Sequence, residues 1–437
     1  MSVSSTLTAI RALPAICSEI ERLKGPANPA LPEWLRTGYQ VLKNGGSIRG
    51  FYGMGKSLIA LLTAIAEAAS GGKPIVIAAY RLLRATGKRE LRDLAPSFVE
   101  AVNVLRETGA CKPEILVKWV AETAGLELQR DPREILNGML KDVAGRSFTI
   151  EGKGSEKIIS IVEEHLKDYS LVVLDEFERV IERPDLYGYK GVDDMVEDFF
   201  YLADAKPAKL SFTIPTTLWG YFDIQIVSRL QPSMQLLAKP EDMLAFLRNL
   251  LRLEGLEASW AEEIRSLGVQ LRNPRAVVGL LLTAQSLGSM MYAITERLAI
   301  LAYGALSYPR RISPKTRASL LAVYTAAWIN QNAYAPLRRD YIERAKSVIS
   351  GKEAVKARIK EIIGSKVLAE LETMSTADMV ERLRKVGLLR TAGDLYMLTE
   401  KAINNLRDIA RGEAAKSVSA SLRLDPQLLE VELNLAP

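Results

Sequence analysis

Gly50-Phe51-Tyr52-Gly53-Met54-Gly55-Lys56-Ser57, running on into Leu58-Ile59-Ala60-Leu61-Leu62, decides how this chain folds. The stretch satisfies G-x-x-x-x-G-K-[ST] in full and leads into an Ala-rich helical pattern. Glycines let the backbone wrap with its N–H groups aimed at phosphate oxygens, and the helix N-terminus behind them adds positive potential. In such a loop Gly50, Gly53, Met54, Gly55 and Leu58 line the cradle, Lys56 reaches the β and γ phosphates, and the Ser57 hydroxyl ligates magnesium. ATP and Mg2+ are therefore the expected cofactors. The bland alternative is a Gly-rich entry to a helix, and a chance match in 437 residues is on the order of a per cent or two.

A second signal removes most of that chance. Leu171-Val172-Val173-Leu174-Asp175-Glu176 is an apolar run ending in two carboxylates, which predicts a buried parallel strand with acids at its C-terminal edge. Alone it could be a strand followed by a polar turn; behind a phosphate loop it reads as a Walker B element. Ligands of open α/β sheets sit beyond the carboxyl ends of the strands, so Asp175 is expected at the magnesium and Glu176 at the attacking water. Further strands are predicted at Pro74–Ala79, Leu210–Ile214 and Met234–Ala238, separated by helical stretches, which gives a parallel sheet covered on both faces. Residues from about 80 to 169 exceed one crossover and predict a helical insertion, with a loop near Lys153-Gly154.

Composition narrows the classes. The chain is 48% hydrophobic and 25% charged, ordinary for a globular protein of two or three domains. Charges interrupt the apolar stretches Ser289–Tyr308 and Leu7–Ile16, so neither predicts a membrane span or signal peptide, and a cytoplasmic location is expected. Cys17, Cys111 and the single His165 cannot assemble a zinc site of three or four ligands, which argues against metalloproteases, zinc fingers and Ser-His-Asp hydrolases. Asn and Gln together number about 20, and few thermolabile side chains hint at a heat-adapted source. The net charge is +6, but residues 310–416 hold about 21 Lys and Arg against about 12 Asp and Glu, so the excess lies in the C-terminal quarter. A basic region of this kind is the footprint of a polyanion partner.

With these motifs the chain resembles an AAA+ ATPase, and within that superfamily it is similar to the archaeal-type initiator group of origin-recognition and helicase-loader proteins. The resemblance implies an α/β P-loop NTPase core over residues 1–240, a helical lid over 241–310, a C-terminal winged-helix domain over 311–416 and an irregular tail over 417–437. It implies that Thr216 or Thr217, just past the strand Leu210–Ile214, is the sensor 1 residue, although the family often has Asn there. It places the arginine finger, which completes a neighbouring copy's site, at Arg229. Sensor 2 falls on Arg275 in Asn273-Pro274-Arg275, with Arg272 as the alternative because Leu271-Arg272 replaces the usual Gly. A homo-oligomer and a further protein partner are part of what it implies.

Ser375-Thr376-Ala377-Asp378 has capping-box spacing and predicts a helix through Met379–Val386. A two-stranded wing around Ala392-Gly393-Asp394 and a helix from Glu400 follow, an order that looks like a winged helix. Recognition of duplex DNA needs donors on that helix and its flanks, and Arg382, Arg384, Lys385 and Arg390 are the candidates. The plain alternative is a solvated charged face. The expected protein is thus an ATP-controlled DNA-binding ATPase of initiator or loader type. A STAND-type signalling switch whose winged helix binds protein, or a transposition or plasmid-maintenance ATPase, would carry many of the same motifs. A small-molecule kinase would need neither lid nor basic C-terminal domain.

Overall fold

Five strands form one parallel sheet: β1 (Ser47–Gly50), β2 (Pro74–Ala78), β5 (Leu171–Asp175), β6 (Leu210–Pro215) and β7 (Ser233–Gln235), in the spatial order β2-β5-β6-β1-β7. A computed structural model describes residues 5–107, 112–306, 308, 312–413, 415–416 and 428–435, with side chains from residue 12 onward. The expected Cys111 lies outside these residues, as do 417–427 of the expected tail. The chain folds as two compact units, residues 1–237 and 238–436.

In the first unit β2, β5 and β6 are buried along their whole length. This is why β2 and β5 read as unbroken apolar runs; β6 alternates, and its buried Ser211 and Thr213 hydroxyls donate to the Leu42 carbonyl and to Asp175. The helix Lys56–Ala69 leaves the end of β1 and buries nearly every residue, its small alanines permitting close approach to its neighbours. The order of the strands, with β1 between β6 and β7 and β2 at the far edge, is that of an α/β P-loop NTPase core, and it brings the carboxyl ends of β1, β5 and β6 side by side.

The segment between β2 and β5 is mostly helical, as expected, and a feature the sequence does not announce crosses it. β3 (Gly87–Glu90) and β4 (Ser147–Ile150) form an antiparallel ladder that joins the two ends of the insertion. β3 is wholly exposed and carries Lys88, Arg89 and Glu90, so it lacks the apolar alternation by which strands are recognised. At the amino end of the sheet, Asp168 accepts from Lys73 at 2.6 Å and from both terminal nitrogens of Arg146 at 2.9 and 2.6 Å. Both cations lie over the Tyr169 ring, 5.0 and 5.1 Å from its centroid. These two guanidinium and ammonium partners hold the Asp168 carboxyl well below the usual carboxylate range.

Among the described residues the second unit is helical but for one hairpin and a single bridge. Helices Pro240–Leu253, Ser259–Leu267, Pro274–Leu287 and Met290–Leu306 come first, followed by Pro314–Ile329, Arg339–Gly351 and Glu353–Thr373, the last kinked at Gly364. Then come helix Thr376–Lys385, the antiparallel pair β8 (Leu389–Ala392) and β9 (Leu395–Leu398), and helix Glu400–Arg411. A backbone bridge joins Leu337 to Tyr396. Among the described residues no single helix is long and apolar enough to cross a membrane.

The expectation of a loosely attached irregular tail is corrected by residues 428–435. Leu428–Glu432 is helical, and Leu428, Leu429, Val431, Leu433 and Leu435 are all buried. Glu432 is fully buried because Arg297 Nε donates to both its oxygens, at 2.9 and 3.0 Å, and Trp328 Nε1 donates to it at 2.8 Å. Paired carboxylates can lie in a core that would reject free ones.

Candidate nucleotide site

Backbone geometry comes first at this site. Gly53 and Gly55 adopt φ of 83° and 97°, left-handed values that favour glycine, and they turn the chain from β1 into helix Lys56–Ala69. A Cβ on Gly55 would meet nothing within 4 Å, so the requirement there is conformational rather than steric. No side chain caps this helix, so its first N–H groups stay directed into the loop. An uncapped helix start of this kind is an anion site.

Side chains then converge from three elements. Lys56 and Ser57 open the helix, Asp175 ends β5 with Glu176 directly after it, and Glu178 opens the short helix Glu178–Glu182; all five are buried. The Lys56 ammonium donates to Glu178 Oε1 at 2.6 Å, Gly50 O at 3.0 Å and Phe51 O at 3.3 Å. Thr213, on the neighbouring strand β6, donates its hydroxyl to Asp175 Oδ1, and the Ser57 hydroxyl favours the ionised form of the same carboxyl. Oδ2 of Asp175 has no hydrogen-bond partner. Burial, with Glu176 and Glu178 adding negative charge, pushes the Asp175 carboxyl up to about 7, against the two hydroxyls that favour its ionised form. Glu176 takes a left-handed φ of 66°, an unusual conformation for a residue with a Cβ.

This donor set fits magnesium and nucleotide. The unpartnered Asp175 oxygen and the Ser57 hydroxyl are hard oxygen ligands of the type Mg2+ takes, and a cation there would offset the charge that Glu176 and Glu178 bring to Asp175. Thr216 and Thr217 follow directly after β6, and their hydroxyl oxygens are buried without a hydrogen-bond partner.

Most of the remaining expected residues have local partners of their own. Arg229, at the end of helix Ile224–Arg229, donates to Asp204 at 2.7 Å and lies 4.7 Å from the centroid of the Phe200 ring. Arg275 sits in the first turn of helix Pro274–Leu287, where the Asn273 side chain accepts from the N–H groups of Arg275 and Ala276. The alternative, Arg272, spends its Nε on the Asn330 carbonyl at 3.2 Å. Arg384 makes two hydrogen bonds to Glu381, at 2.8 and 2.9 Å, and Lys385 lies 3.5 Å from the same carboxylate, which these cations hold down at about 2. Arg390 is exposed on β8, and Arg382 is half-buried.

Glu178 and Thr213 belong to the site, and nothing in the sequence singles them out. Glu178 stands three places after Asp175, where it reads as one more polar residue of a turn; Thr213 reads as an ordinary β-branched strand residue.

No family model matches the chain, and no curated protein does. Among solved structures the chain is similar to the crystal structure of Cdc6p from Pyrobaculum aerophilum, at 11% identity and a TM-score of 0.30, over 91% of this chain and 96% of that one.

Proposed function

We propose that this protein binds and hydrolyses ATP and that its nucleotide state governs contact with duplex DNA, in the manner of an initiator or helicase loader. The observation that carries the reading is the meeting of Lys56, Ser57 and Asp175 beneath an uncapped helix start. Lys56 binds the β and γ phosphates, while Ser57 and Asp175 hold Mg2+, which supplies charge neutralisation at the transferring phosphoryl group. Glu176 orients and polarises the attacking water, Thr216 reads the terminal phosphate, and Arg275 reports it to the second unit. Arg229 completes the site of a second copy by exchanging its Asp204 partner for phosphate.

On the DNA side, the helix Thr376–Lys385 and the β8–β9 hairpin form the winged element. Glu381 already neutralises part of the charge of Arg384 and Lys385, so Arg390 is expected to carry more of the phosphate contact than either. Anisotropy of a labelled duplex against the full-length protein, with ADP and with a slowly hydrolysed ATP analogue over a range of salt, tests this. Binding is expected to fall steeply with salt and to differ between nucleotides; Arg390→Ala should reduce the salt slope by roughly one, and Arg384→Ala by less. Absence of DNA binding in both nucleotide states would overturn the DNA-binding part.

One observation favours a second reading, the STAND-type switch with a protein partner. The register places Arg390, Ala392, Leu395 and Met397 on one face of the hairpin, and Leu395 and Met397 are exposed. A face with one charge in four suits a protein surface better than phosphate. Tight resident ADP together with no DNA affinity would favour it.

A further inference from the structure

Lys56 has no N–H left for an incoming phosphate. An ammonium carries three donors, and Glu178 Oε1, Gly50 O and Phe51 O accept from it at 2.6, 3.0 and 3.3 Å. The ion pair is sheltered from water, with the two side chains only 4% and 7% exposed. In such surroundings an opposite charge is held far more strongly than at a surface. The second oxygen of Glu178 has no hydrogen-bond partner, so the contact with Lys56 is what anchors this carboxylate. Asp175 and Glu176 are also buried, and the charges of Glu176 and Glu178 both act on the Asp175 carboxyl.

Resting on the nucleotide-binding reading, we propose that Glu178 is a resident anion on the P-loop lysine, displaced by the terminal phosphate, which makes nucleotide affinity depend steeply on a divalent cation. A phosphate oxygen competes with the Glu178 oxygen for the same N–H group. It also brings negative charge towards the buried Glu178 carboxylate it displaces. A cation held by Ser57 and Asp175 offsets that charge; without it, phosphate meets both the competitor and the repulsion. Glu178 is thus a specificity-determining residue for the magnesium complex of a triphosphate over the free nucleotide.

Fluorescent ATP titrated into the full-length protein tests this in wild type, Glu178→Gln, Glu178→Ala and Lys56→Ala, each with Mg2+ and with EDTA. Gln keeps an acceptor and removes the charge, so ATP affinity in EDTA should rise about tenfold over wild type. The gain should be smaller with Mg2+, Glu178→Ala should move in the same direction, and Lys56→Ala should lose binding throughout. Thermal melts of the variants establish that each is folded. Unchanged or weaker binding in EDTA by both folded Glu178 variants, with Lys56→Ala having lost it, would mean that Glu178 only props the loop, and would overturn the proposal. Wild-type affinity in Lys56→Ala would instead overturn the nucleotide reading beneath it.

Discussion

Replacing Asp175 by Asn is expected to raise the melting temperature of the nucleotide-free protein and to abolish magnesium-dependent ATP hydrolysis. The carboxyl is fully buried, and its pKa is pushed up to about 7 from 3.8 by burial and by Glu176 and Glu178. The sign follows from comparing folded and unfolded chains. Well below pH 3.8 the group is protonated in both and contributes nothing. As pH rises towards 7 the unfolded chain ionises first, and the folded state loses stability progressively; above 7 the penalty is complete. At about 1.4 kcal/mol for each unit of pKa, the full penalty is on the order of 4 kcal/mol, and its relief should raise the melting temperature by on the order of 10 °C. Asn can still accept from Thr213, so the substitution leaves no new unsatisfied hydroxyl at that contact. Melts in EDTA at pH 5 and pH 8 read the effect directly: wild type should lose stability between them and Asp175→Asn should lose much less. Equal losses would mean that Asp175 does not carry the strain. Sites that store unfavourable charge for a later ligand commonly show this exchange of stability for activity.

How much of this arrangement was legible follows from what each residue shows locally. The phosphate loop declares itself because glycine, lysine and serine at that spacing have few other uses, and β5 because four apolar residues precede two acids. β1 was silent: Ser47-Ile48-Arg49-Gly50 holds one aliphatic residue, and its strand character comes from pairing with β6 and β7 on either side. β3 was silent for a related reason, since its ladder partner lies some 60 residues away across the insertion. Glu178 and Thr213 could not be assigned because their roles exist only through partners distant in sequence, Lys56 and Asp175. The C-terminal segment misled in the opposite direction. Residues 417–437 read as an irregular tail, but a buried arginine and an indole more than 100 residues upstream make Glu432 part of the core.

That segment carries the second large effect. Glu432→Ala should destabilise the second unit by about 3–5 kcal/mol, because it leaves Arg297 as a buried cation without its carboxylate and Trp328 without its acceptor. On the order of 10 °C in melting temperature is expected for a unit of this size. The loss should come from the orphaned charge rather than from the ion pair being strong, since buried pairs barely repay their desolvation. The double variant Arg297→Met with Glu432→Gln separates the two accounts: it removes both charges and keeps an acceptor for the indole N–H, so it should recover to within about 1 kcal/mol of wild type. A double variant as unstable as Glu432→Ala would show that the ion pair itself is what stabilises. The segment also packs where no larger residue fits: a Cβ on Gly279 would come within 1.9 Å of Leu428. Arg297 and Gly279 lie in the helices assigned to the lid, and Trp328 lies in the first helix of the basic region, so residues 428–435 fasten these two parts of the second unit to one another. A nucleotide signal reaching Arg275 would then move that unit as one body, and Glu432→Ala, by loosening the fastening, should weaken the nucleotide dependence of DNA affinity more than the affinity itself.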